Sequence, residues 1–347
     1  MSRRRLRFGG LAICLVFAVA LVTALTATAG QEAAGHKGQN YKMFLIPKLI
    51  GVNVFTENGK GAKEAAKELG DTVIYNGPTE AVAAKQVPFI NTAAQQQADA
   101  IIISANDPNA VAPALKRAVA RGAKVISYDG DVARDARTIF VSPPSASAIG
   151  QFQVEWIGSQ IGYRGEIAIL SATPTAANQN TWIKFMKAAL KKPKYRGMKL
   201  VKIAYGNDNP TDSAKETQAL LQGYPNLKGI ISPTTVGVAA AAQVLQQERK
   251  CNAVALTGLG LPNEMRKYIK AGCAKKVGLW NERDFGYLAA YVAHYVLDGK
   301  LTGKIGQTFK AGRLGKRTVV VSDGNKPVVV LGDPLVFTKA NVDKFNF

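Results

Sequence analysis

The sequence is poor in the residues that most catalytic and metal sites use. It contains two histidines and three cysteines among 347 residues, and neither His36 nor His294 belongs to a nucleophile motif or a metal-ligand spacing. Gly258-Leu259-Gly260 is only a fragment of the G-x-G-x-x-G dinucleotide fingerprint, and the sequence contains no phosphate loop. These absences argue against an enzyme. They predict no catalytic residue, no cofactor and no metal ligand.

Acidic residues are also scarce, with 24 aspartates and glutamates against 45 lysines and arginines. A net charge of +21 is compatible with nucleic-acid binding, but the basic residues are scattered along the chain. The N-terminus, moreover, has the pattern of an export signal. Four arginines, an apolar run over residues 11–24 and the small residues 27–29 predict a signal peptide over residues 1–29. We therefore expect a periplasmic or extracellular protein without a nucleic-acid partner.

Lipid attachment and membrane spans are not expected either. Cys14 lies in a sequence that differs from a lipoprotein signal, because Ile13 is bulky and the apolar run continues beyond the cysteine. No other stretch is long and apolar enough to cross a bilayer. The arginines near the N-terminus are weakly similar to a twin-arginine signal, although the strongly apolar run favours the general secretory route.

Strand and helix patterns alternate along the rest of the chain. Apolar runs predict strands at 43–47, 72–75, 100–104, 125–128 and 138–141, and again at 166–170, 199–204, 229–232, 253–257 and 276–280. Helical patterns lie between them, the first over residues 57–69 with Gly70 as its end. This order predicts an α/β protein of two doubly wound lobes, each with a five-stranded parallel sheet.

The stretch KVISYDGD, residues 124–131, shows where a ligand would bind in such lobes. It is a buried strand pattern that ends in Asp129 and Asp131, and it follows a helix pattern that begins at Asp107 and ends near Gly122. Other predicted strands also end in polar or aromatic residues: Lys48, Asn106, residues 173–180, 233–235 and 258–260, Trp280 and Asn281. Ligands bind beyond the carboxyl ends of strands in open α/β sheets. We therefore expect a ligand cleft between the lobes.

Two aromatic residues near these strand ends have two equally good interpretations. Phe55 and Trp280 could form apolar platforms for a sugar ring. Ordinary packing in the core explains them as well.

Six segments cover most of the chain after the signal peptide. They are IPKLIGVNVFTENGKGAKEAAKELG (46–70), YNGPTEA (75–81), DAIIISANDPNAVAPALKRAVARGAKVISYDGD (99–131), TAANQNTWIKFMK (175–187), DFGYLAAYVAHYVLDGK (284–300) and PLVFTKANVDKFNF (334–347). They resemble the periplasmic substrate-binding proteins of ABC importers, in the branch with the autoinducer-2-binding and rhamnose-binding proteins. TAANQNTW, DFGYL and AGRLG (311–315) are more similar to the rhamnose type. The resemblance implies a type I periplasmic-binding-protein fold, a sugar ligand, an ABC permease as membrane partner and a monomer.

The resemblance also implies a set of ligand contacts. They are Lys48, Asp129, Asn178, Gln179, Pro233 and Thr235. Two of them depart from the autoinducer-2 pattern, because Asn178 stands where those proteins have aspartate and Thr235 where they have alanine. Such exchanges discriminate between ligands, since a polar group left unpaired in a site is costly. A neutral sugar or polyol, preferably a rhamnose-like deoxyhexose, is therefore the expected ligand, with autoinducer-2 as the other candidate.

The predicted lobes are discontinuous in sequence. We expect lobe 1 to comprise residues 38–141 and 281–303, and lobe 2 residues 142–280 and 304–347, with hinge crossovers near 141–142, 280–281 and Gly303. An extracellular receptor for a quorum-sensing or chemosensory partner remains an alternative, because it would use the same closed form. An enzyme on a Rossmann-like fold is a remote one. A DNA-binding regulator would need a helix-turn-helix where this chain has its export signal.

Two cysteines remain after the signal peptide, and each precedes a predicted strand. Cys251 precedes strand 253–257 and Cys273 precedes strand 276–280. If the two strands are neighbours, about 4.8 Å apart, the cysteines are close enough for a disulfide, which needs Cα atoms roughly 4.4–6.8 Å apart. We predict this disulfide at the end of the sheet opposite the cleft. The alternative is two unpaired cysteines packed as small apolar residues.

Overall fold

The structure, a computed structural model, describes residues 40–347, which form two α/β lobes. The first part of lobe 1 alternates strands and helices. Its elements are β1 (Lys42–Ile46), α1 (Asn53–Leu69), β2 (Thr72–Tyr75), α2 (Ala83–Gln95), β3 (Ala100–Ile103), α3 (Pro108–Ala120), β4 (Lys124–Tyr128) and β5 (Ile139–Ser142). The five strands are parallel in the order β2-β1-β3-β4-β5, as the alternation predicts.

Lobe 2 repeats the alternation. Its elements are α4 (Ala146–Ile161), β6 (Arg164–Ser171), α5 (Ala177–Leu190), β7 (Gly197–Tyr205), α6 (Pro210–Gly223), β8 (Leu227–Ser232), α7 (Thr235–Gln247), β9 (Ala255–Gly258), α8 (Pro262–Lys270) and β10 (Val277–Leu279). Strands β6 to β9 are parallel in the order β7-β6-β8-β9. A parallel bridge between Leu259 and Gly278 places β10 next to β9.

The sheet of lobe 1 is covered on both faces, which explains why its strands are almost continuously apolar. Alternate side chains of a strand point to opposite faces. Accordingly, Met43 and Leu45 of β1 belong to the core that contains α1, whereas Phe44 and Ile46 belong to the core that contains α2 and α3. Packing on both sides holds each strand firmly, so the residues at its carboxyl end have well-defined positions.

The chain returns to lobe 1 after β10 and adds three strands that the sequence patterns did not predict. Helix α9 (Glu282–Leu297) packs against α1, and β11 (Thr308–Lys310), β12 (Lys316–Ser322) and β13 (Asn325–Val330) follow. Strand β13 pairs in parallel with β5, and β12 and β11 extend the sheet antiparallel. The assignment of residues 304–347 to lobe 2 is therefore wrong for residues 308–330. The reason is that β5 would otherwise leave a long edge of unpaired backbone groups.

The third crossover between the lobes follows β13. Strand β14 (Leu335–Phe337) pairs antiparallel with β10, so the chain passes into lobe 2 over residues 331–334. The predicted crossover near Gly303 is wrong, because this glycine lies between α9 and β11, inside lobe 1. The other two crossovers lie between β5 and α4 and between β10 and α9, where the sequence predicts them.

A disulfide joins Cys251 and Cys273, whose Cα atoms are 4.4 Å apart. The predicted pairing is thus confirmed. The two cysteines precede the neighbouring strands β9 and β10. The bridge therefore closes the amino-terminal end of this sheet, away from the polar strand ends.

The predicted signal peptide, residues 1–29, lies outside the described residues, as do Cys14 and His36. Within residues 40–347, no helix combines the length and the apolar composition that a bilayer-spanning segment needs.

Candidate functional site

A cavity lies between the two lobes, at the carboxyl ends of strands from both sheets. It contains about 490 Å³ of empty space, a volume that includes the open solvent at its mouth. Its wall combines apolar and aromatic side chains with a few polar ones. The lining residues are Lys48, Leu49, Val52, Val54, Phe55, Asn58, Asp129, Asn178, Gln179, Trp182, Asp208, Pro233, Thr234, Thr235, Val236, Leu259, Leu279, Trp280 and Glu282.

Three polar side chains meet across the gap between the lobes. Lys48 Nζ lies 3.3 Å from Asp129 Oδ2, and both residues belong to lobe 1. Asn178, from lobe 2, accepts a hydrogen bond from Lys48 Nζ at 3.0 Å and donates one from Nδ2 to Asp129 Oδ1 at 2.8 Å. The amide of Asn178 therefore bridges a cation and an anion, and it holds the lobes together at the cavity.

Buried hydrogen bonds to its own loop hold Lys48 in place. Asn106 donates from Nδ2 to the backbone oxygen of Lys48 at 2.8 Å. Gln86 donates to the backbone oxygens of Pro47 and Ser104, at 3.0 and 2.8 Å, and its Oε1 accepts from the backbone N–H of Asn106. The ends of β1 and β3 are thus connected by side chains. The lysine, whose side chain is 4% exposed, extends from a fixed backbone.

Asp129 adopts an unusual backbone conformation at the end of β4. Its φ of +53° lies in the left-handed region, which residues other than glycine, asparagine and aspartate mostly avoid. Ser104 Oγ donates to Asp129 Oδ2 at 2.7 Å and accepts from the N–H of Gly130 at 3.1 Å. A Cβ on Gly130 would lie 2.5 Å from Ala105 O, so only glycine fits there. The strained turn aims the carboxylate at Lys48, an arrangement typical of functional sites.

Gln179 is the main polar contribution from the start of α5. It is buried, and its Oε1 accepts from Ser171 Oγ at 2.7 Å and from the N–H of Ala172 at 2.8 Å. Its backbone N–H donates to Asn178 Oδ1. These bonds orient Gln179 Nε2 as the donor that remains for a ligand, and they connect β6 to the bridging asparagine.

Two further carboxyl groups line the cavity. Thr234 Oγ1 donates a hydrogen bond to Asp208. Residue 208 is partly exposed as a whole, but its carboxyl group is enclosed. Burial therefore raises the pKa of Asp208, while the nearby Lys48 opposes that rise. Asn58 Nδ2 donates to Glu282 Oε2 at 2.7 Å. Glu282 is buried in the wall, and burial raises its pKa well above the ordinary value of 4.5. For both groups burial thus disfavours the charged form, and a ligand that donates hydrogen bonds would reduce this cost.

Helices α1 and α9 position the Asn58–Glu282 pair by touching backbone to backbone. A Cβ on Gly61 would lie 1.7 Å from Arg283 O, and one on Gly286 would lie 1.9 Å from Asn58 O. Because both positions are glycine, the helices approach closely enough for Asn58 Nδ2 to reach the backbone oxygen of Glu282 as well, at 2.8 Å.

The structure brings together eight of the ten residues that the sequence places at the ligand site. They are Lys48, Phe55, Asp129, Asn178, Gln179, Pro233, Thr235 and Trp280. Both aromatic residues are buried and line the cavity. Trp280 packs edge-to-face against Trp182, with ring centroids 6.1 Å apart. Trp280 is therefore both a packed core residue and part of the cavity wall.

Asp131 and Asn281 do not line this cavity, and the side chains of both have other partners. Asp131 accepts from Arg137 Nε at 2.7 Å and from Arg137 Nη2 at 2.9 Å, and Asn325 Nδ2 also donates to it. Its oxygens are occupied in tying β13 to the β4–β5 connection. Asn281 caps α9 by accepting a hydrogen bond from the backbone N–H of Asp284 at 3.1 Å.

Four of the polar or aromatic cavity residues were missed from the sequence: Asn58, Trp182, Asp208 and Glu282. Asn58 and Trp182 lie inside helices, where the sequence pattern indicates one face of a helix and not the end of a strand. Asp208 does follow a strand, since β7 ends at Tyr205, and this signal was available. Glu282 follows Asn281 in the first helical turn, where an acidic residue is ordinary.

Comparison with known proteins identifies relatives of the whole described chain. The family model for a periplasmic binding protein domain matches residues 43–301. The protein of a sugar ABC transporter from Actinomyces odontolyticus is 41% identical over 88% of this chain and 98% of its own, with a TM-score of 0.70. An ABC transporter solute-binding protein from Clostridium phytofermentas, solved with bound L-rhamnose, is 34% identical over 89% of this chain and 98% of its own, with a TM-score of 0.86. LsrB from Clostridium saccharobutylicum, in complex with AI-2, is 27% identical over 88% and 100%, with a TM-score of 0.83.

Proposed function

Because this chain belongs to the periplasmic binding protein family, we propose that it is the solute-binding protein of an ABC importer for a small neutral sugar. Its type I fold, with two α/β lobes and three crossovers, is the one that the sequence predicts and that the solved relatives share. One of those relatives is an ABC transporter solute-binding protein and another is solved in complex with AI-2, which supports binding and not catalysis as the role of the cavity.

The observation that carries the proposal is the cluster of Lys48, Asp129 and Asn178 inside the cavity between the lobes. The polar atoms of these side chains lie 2.8–3.3 Å from one another, so they present hydrogen-bond donors and acceptors from both lobes to the same part of a ligand. Sugar hydroxyls both donate and accept, so a sugar can exchange bonds with all three side chains. The apolar wall, which includes Phe55 and Leu49, complements the C–H faces of a sugar ring.

A rhamnose-like deoxyhexose is the preferred ligand. The relative solved with L-rhamnose has higher identity to this chain than the one solved with AI-2. Asn178 stands where the autoinducer-2 pattern has aspartate, and here its amide donates to Asp129, which a second carboxylate could not do. Apolar side chains around the cavity also suit the methyl group of a deoxy sugar. Autoinducer-2 is the ligand against which this preference is tested.

The proposed mechanism is hinge closure at the three crossovers. Lobe-to-lobe hydrogen bonds support it: Asn178 reaches Lys48 and Asp129, Thr175 Oγ1 donates to the backbone oxygen of Asn106 at 3.3 Å, and Asn53 Nδ2 donates to Glu264 at 2.7 Å. These contacts would stabilise the closed form that the permease receives. Closure with a sugar inside would exclude water from it. The protein would act as a monomer in the periplasm or outside the cell.

A thermal-shift screen tests the proposal directly. Exported protein is heated with L-rhamnose, other deoxyhexoses, pentoses and autoinducer-2 in turn. A ligand that binds only the folded protein stabilises it by RT ln(1 + [L]/Kd), so a hundredfold excess over Kd gives about 2.7 kcal/mol. We expect the largest shift with a deoxyhexose. A chain that no sugar stabilises would contradict the proposed function, and stabilisation by autoinducer-2 alone would contradict the ligand preference.

A further inference from the structure

The cavity wall next to one hinge crossover contains an unusual pair of polar groups. Trp280 is 4% exposed, and its indole N–H makes no hydrogen bond of normal geometry with any residue in the described range 40–347. The carboxyl of Glu282, 2% exposed, is the group that this N–H approaches, and their weak hydrogen bond lowers the pKa of the carboxyl against the larger effect of burial. A buried donor and a buried acceptor thus lie side by side and face the same cavity.

An indole N–H buried without a well-formed hydrogen bond is rare in folded proteins, because losing its hydrogen bond to water is costly. Glu282 uses Oε2 to accept from Asn58, which leaves Oε1 as its other acceptor. A hydroxyl group both accepts one hydrogen bond and donates another. One hydroxyl at this place would therefore satisfy Trp280 and Glu282 together, which neither an ether oxygen nor a methyl group can do.

We propose that Trp280 Nε1 and the Glu282 carboxyl form a subsite for one hydroxyl of the captured sugar, which accepts from the indole and donates to the carboxyl. This inference rests on the proposed function and names two residues that decide which sugar is selected. It makes Trp280 a hydrogen-bonding residue and not only an apolar platform.

The packing around the pair supports a binding role, since both groups are held in place before any ligand arrives. Asn58 bonds to the side chain and to the backbone oxygen of Glu282, at 2.7 and 2.8 Å. The ring of Trp280 packs edge-to-face against Trp182 and Phe285, each with centroids 6.1 Å away. A site whose groups are fixed by their neighbours loses little entropy when it binds.

Trp280 and Glu282 lie on opposite sides of a hinge crossover. Trp280 follows β10 of lobe 2, whereas Glu282 begins α9 of lobe 1, and the crossover runs between them. A hydroxyl bound to both residues would span this hinge. Sugar recognition and the closed arrangement of the lobes would then depend on the same two hydrogen bonds.

The test is calorimetric titration with L-rhamnose of the full exported protein and three variants. Trp280→Phe keeps the ring and removes the N–H. Glu282→Met removes the acceptor, while Asn58 keeps its bond to the backbone oxygen at residue 282. Trp156→Phe is the matched control, because Trp156 is also buried but lies in α4 outside the cavity wall. We expect Kd to rise roughly tenfold for each of the first two variants and to stay unchanged for the control.

Monodeoxy derivatives of L-rhamnose then identify the hydroxyl. The derivative that lacks the bound hydroxyl should bind the wild type about tenfold more weakly, and Trp280→Phe should weaken it no further. Thermal unfolding without sugar shows whether each variant is folded. If L-rhamnose does not bind but another sugar of the screen does, that sugar and its monodeoxy series take its place.

The possible results separate this inference from the function it rests on. Wild-type protein that binds no sugar contradicts the proposed function, and the subsite with it. Wild-type protein that binds sugar while a folded Trp280→Phe variant keeps full affinity contradicts the subsite alone. Losses that add independently for every deoxy position also contradict it, because no single hydroxyl would then be shared.

Discussion

Replacement of Asp129 by asparagine tests the centre of the proposed site with little change in shape. Asparagine tolerates the left-handed backbone at this position, where φ is +53°. Asp129→Asn therefore removes the negative charge without the backbone strain that Asp129→Ala would add. It leaves Lys48, whose side chain is 4% exposed, without its counter-charge 3.3 Å away.

The size of the effect follows from the contacts. Opposite charges 3.3 Å apart attract by roughly 5 kcal/mol at an effective dielectric constant of about 20, but desolvation of both groups offsets most of this. The sugar affinity falls because the sugar loses its hydrogen bonds to a charged group, which contribute about 1.5–3 kcal/mol each. We expect Asp129→Asn to weaken sugar binding by about 2 kcal/mol, or roughly thirtyfold in Kd. The measurement is isothermal titration calorimetry.

The matched control is Asp131→Asn, two residues further along the chain. Asp131 holds Arg137, whose side chain is fully buried, and lies outside the cavity. Its replacement should lower the free energy of unfolding, because an arginine loses its partner, yet leave the sugar affinity unchanged. Wild-type affinity in a folded Asp129→Asn protein would refute the placement of the site. Lost affinity in Asp131→Asn would mean that the wrong aspartate was chosen.

Three other properties can be measured. Small-angle scattering should show compaction with saturating L-rhamnose, and an unchanged envelope would contradict hinge closure. Burial raises the pKa of Glu282 above 4.5, so its stabilising contribution is present below that pH and is lost as pH rises through the folded-state pKa. Urea unfolding across a pH series should therefore show a shallower fall in stability for Glu282→Gln than for the wild type, and identical slopes would contradict this. Removing the Cys251–Cys273 disulfide, which closes a separation of 22 residues, should cost about 3 kcal/mol of stability by denaturant unfolding and leave sugar affinity unchanged. A change in affinity would contradict the placement of the bridge away from the cavity.

The sequence predicted the parallel strands and several polar residues of the cavity for one physical reason. Strands buried on both faces are apolar runs, and the polar residue that follows such a run is conspicuous, as Lys48 and Asp129 show. The same rule does not distinguish Asp129 from Asp131, because two carboxylates at one strand end look alike in sequence. Only the structure reveals that one of them is occupied by Arg137.

The late strands were missed because their signals are local and weak. Strands β11 to β13 follow one another without α-helices between them, and β13 pairs in parallel with β5 across nearly two hundred residues of chain. The residue pattern over 308–330 does not indicate which edge of the sheet these strands will pair with. Long-range pairing of this kind depends on which edge remains open after the rest of the sheet has formed.

The charges of the cavity explain why a neutral, hydroxyl-rich ligand fits it. Asp129, Asp208 and Glu282 line the wall against the single lysine Lys48. Lys48 pairs with Asp129, so the other two carboxyls are buried without a cation of their own, and burial raises the pKa of both. An anionic sugar would bring a negative charge next to these buried carboxyl groups, which is costly. Hydroxyl groups carry no charge and donate to carboxyl oxygens, so they relieve the burial of these acids without adding a new electrostatic cost.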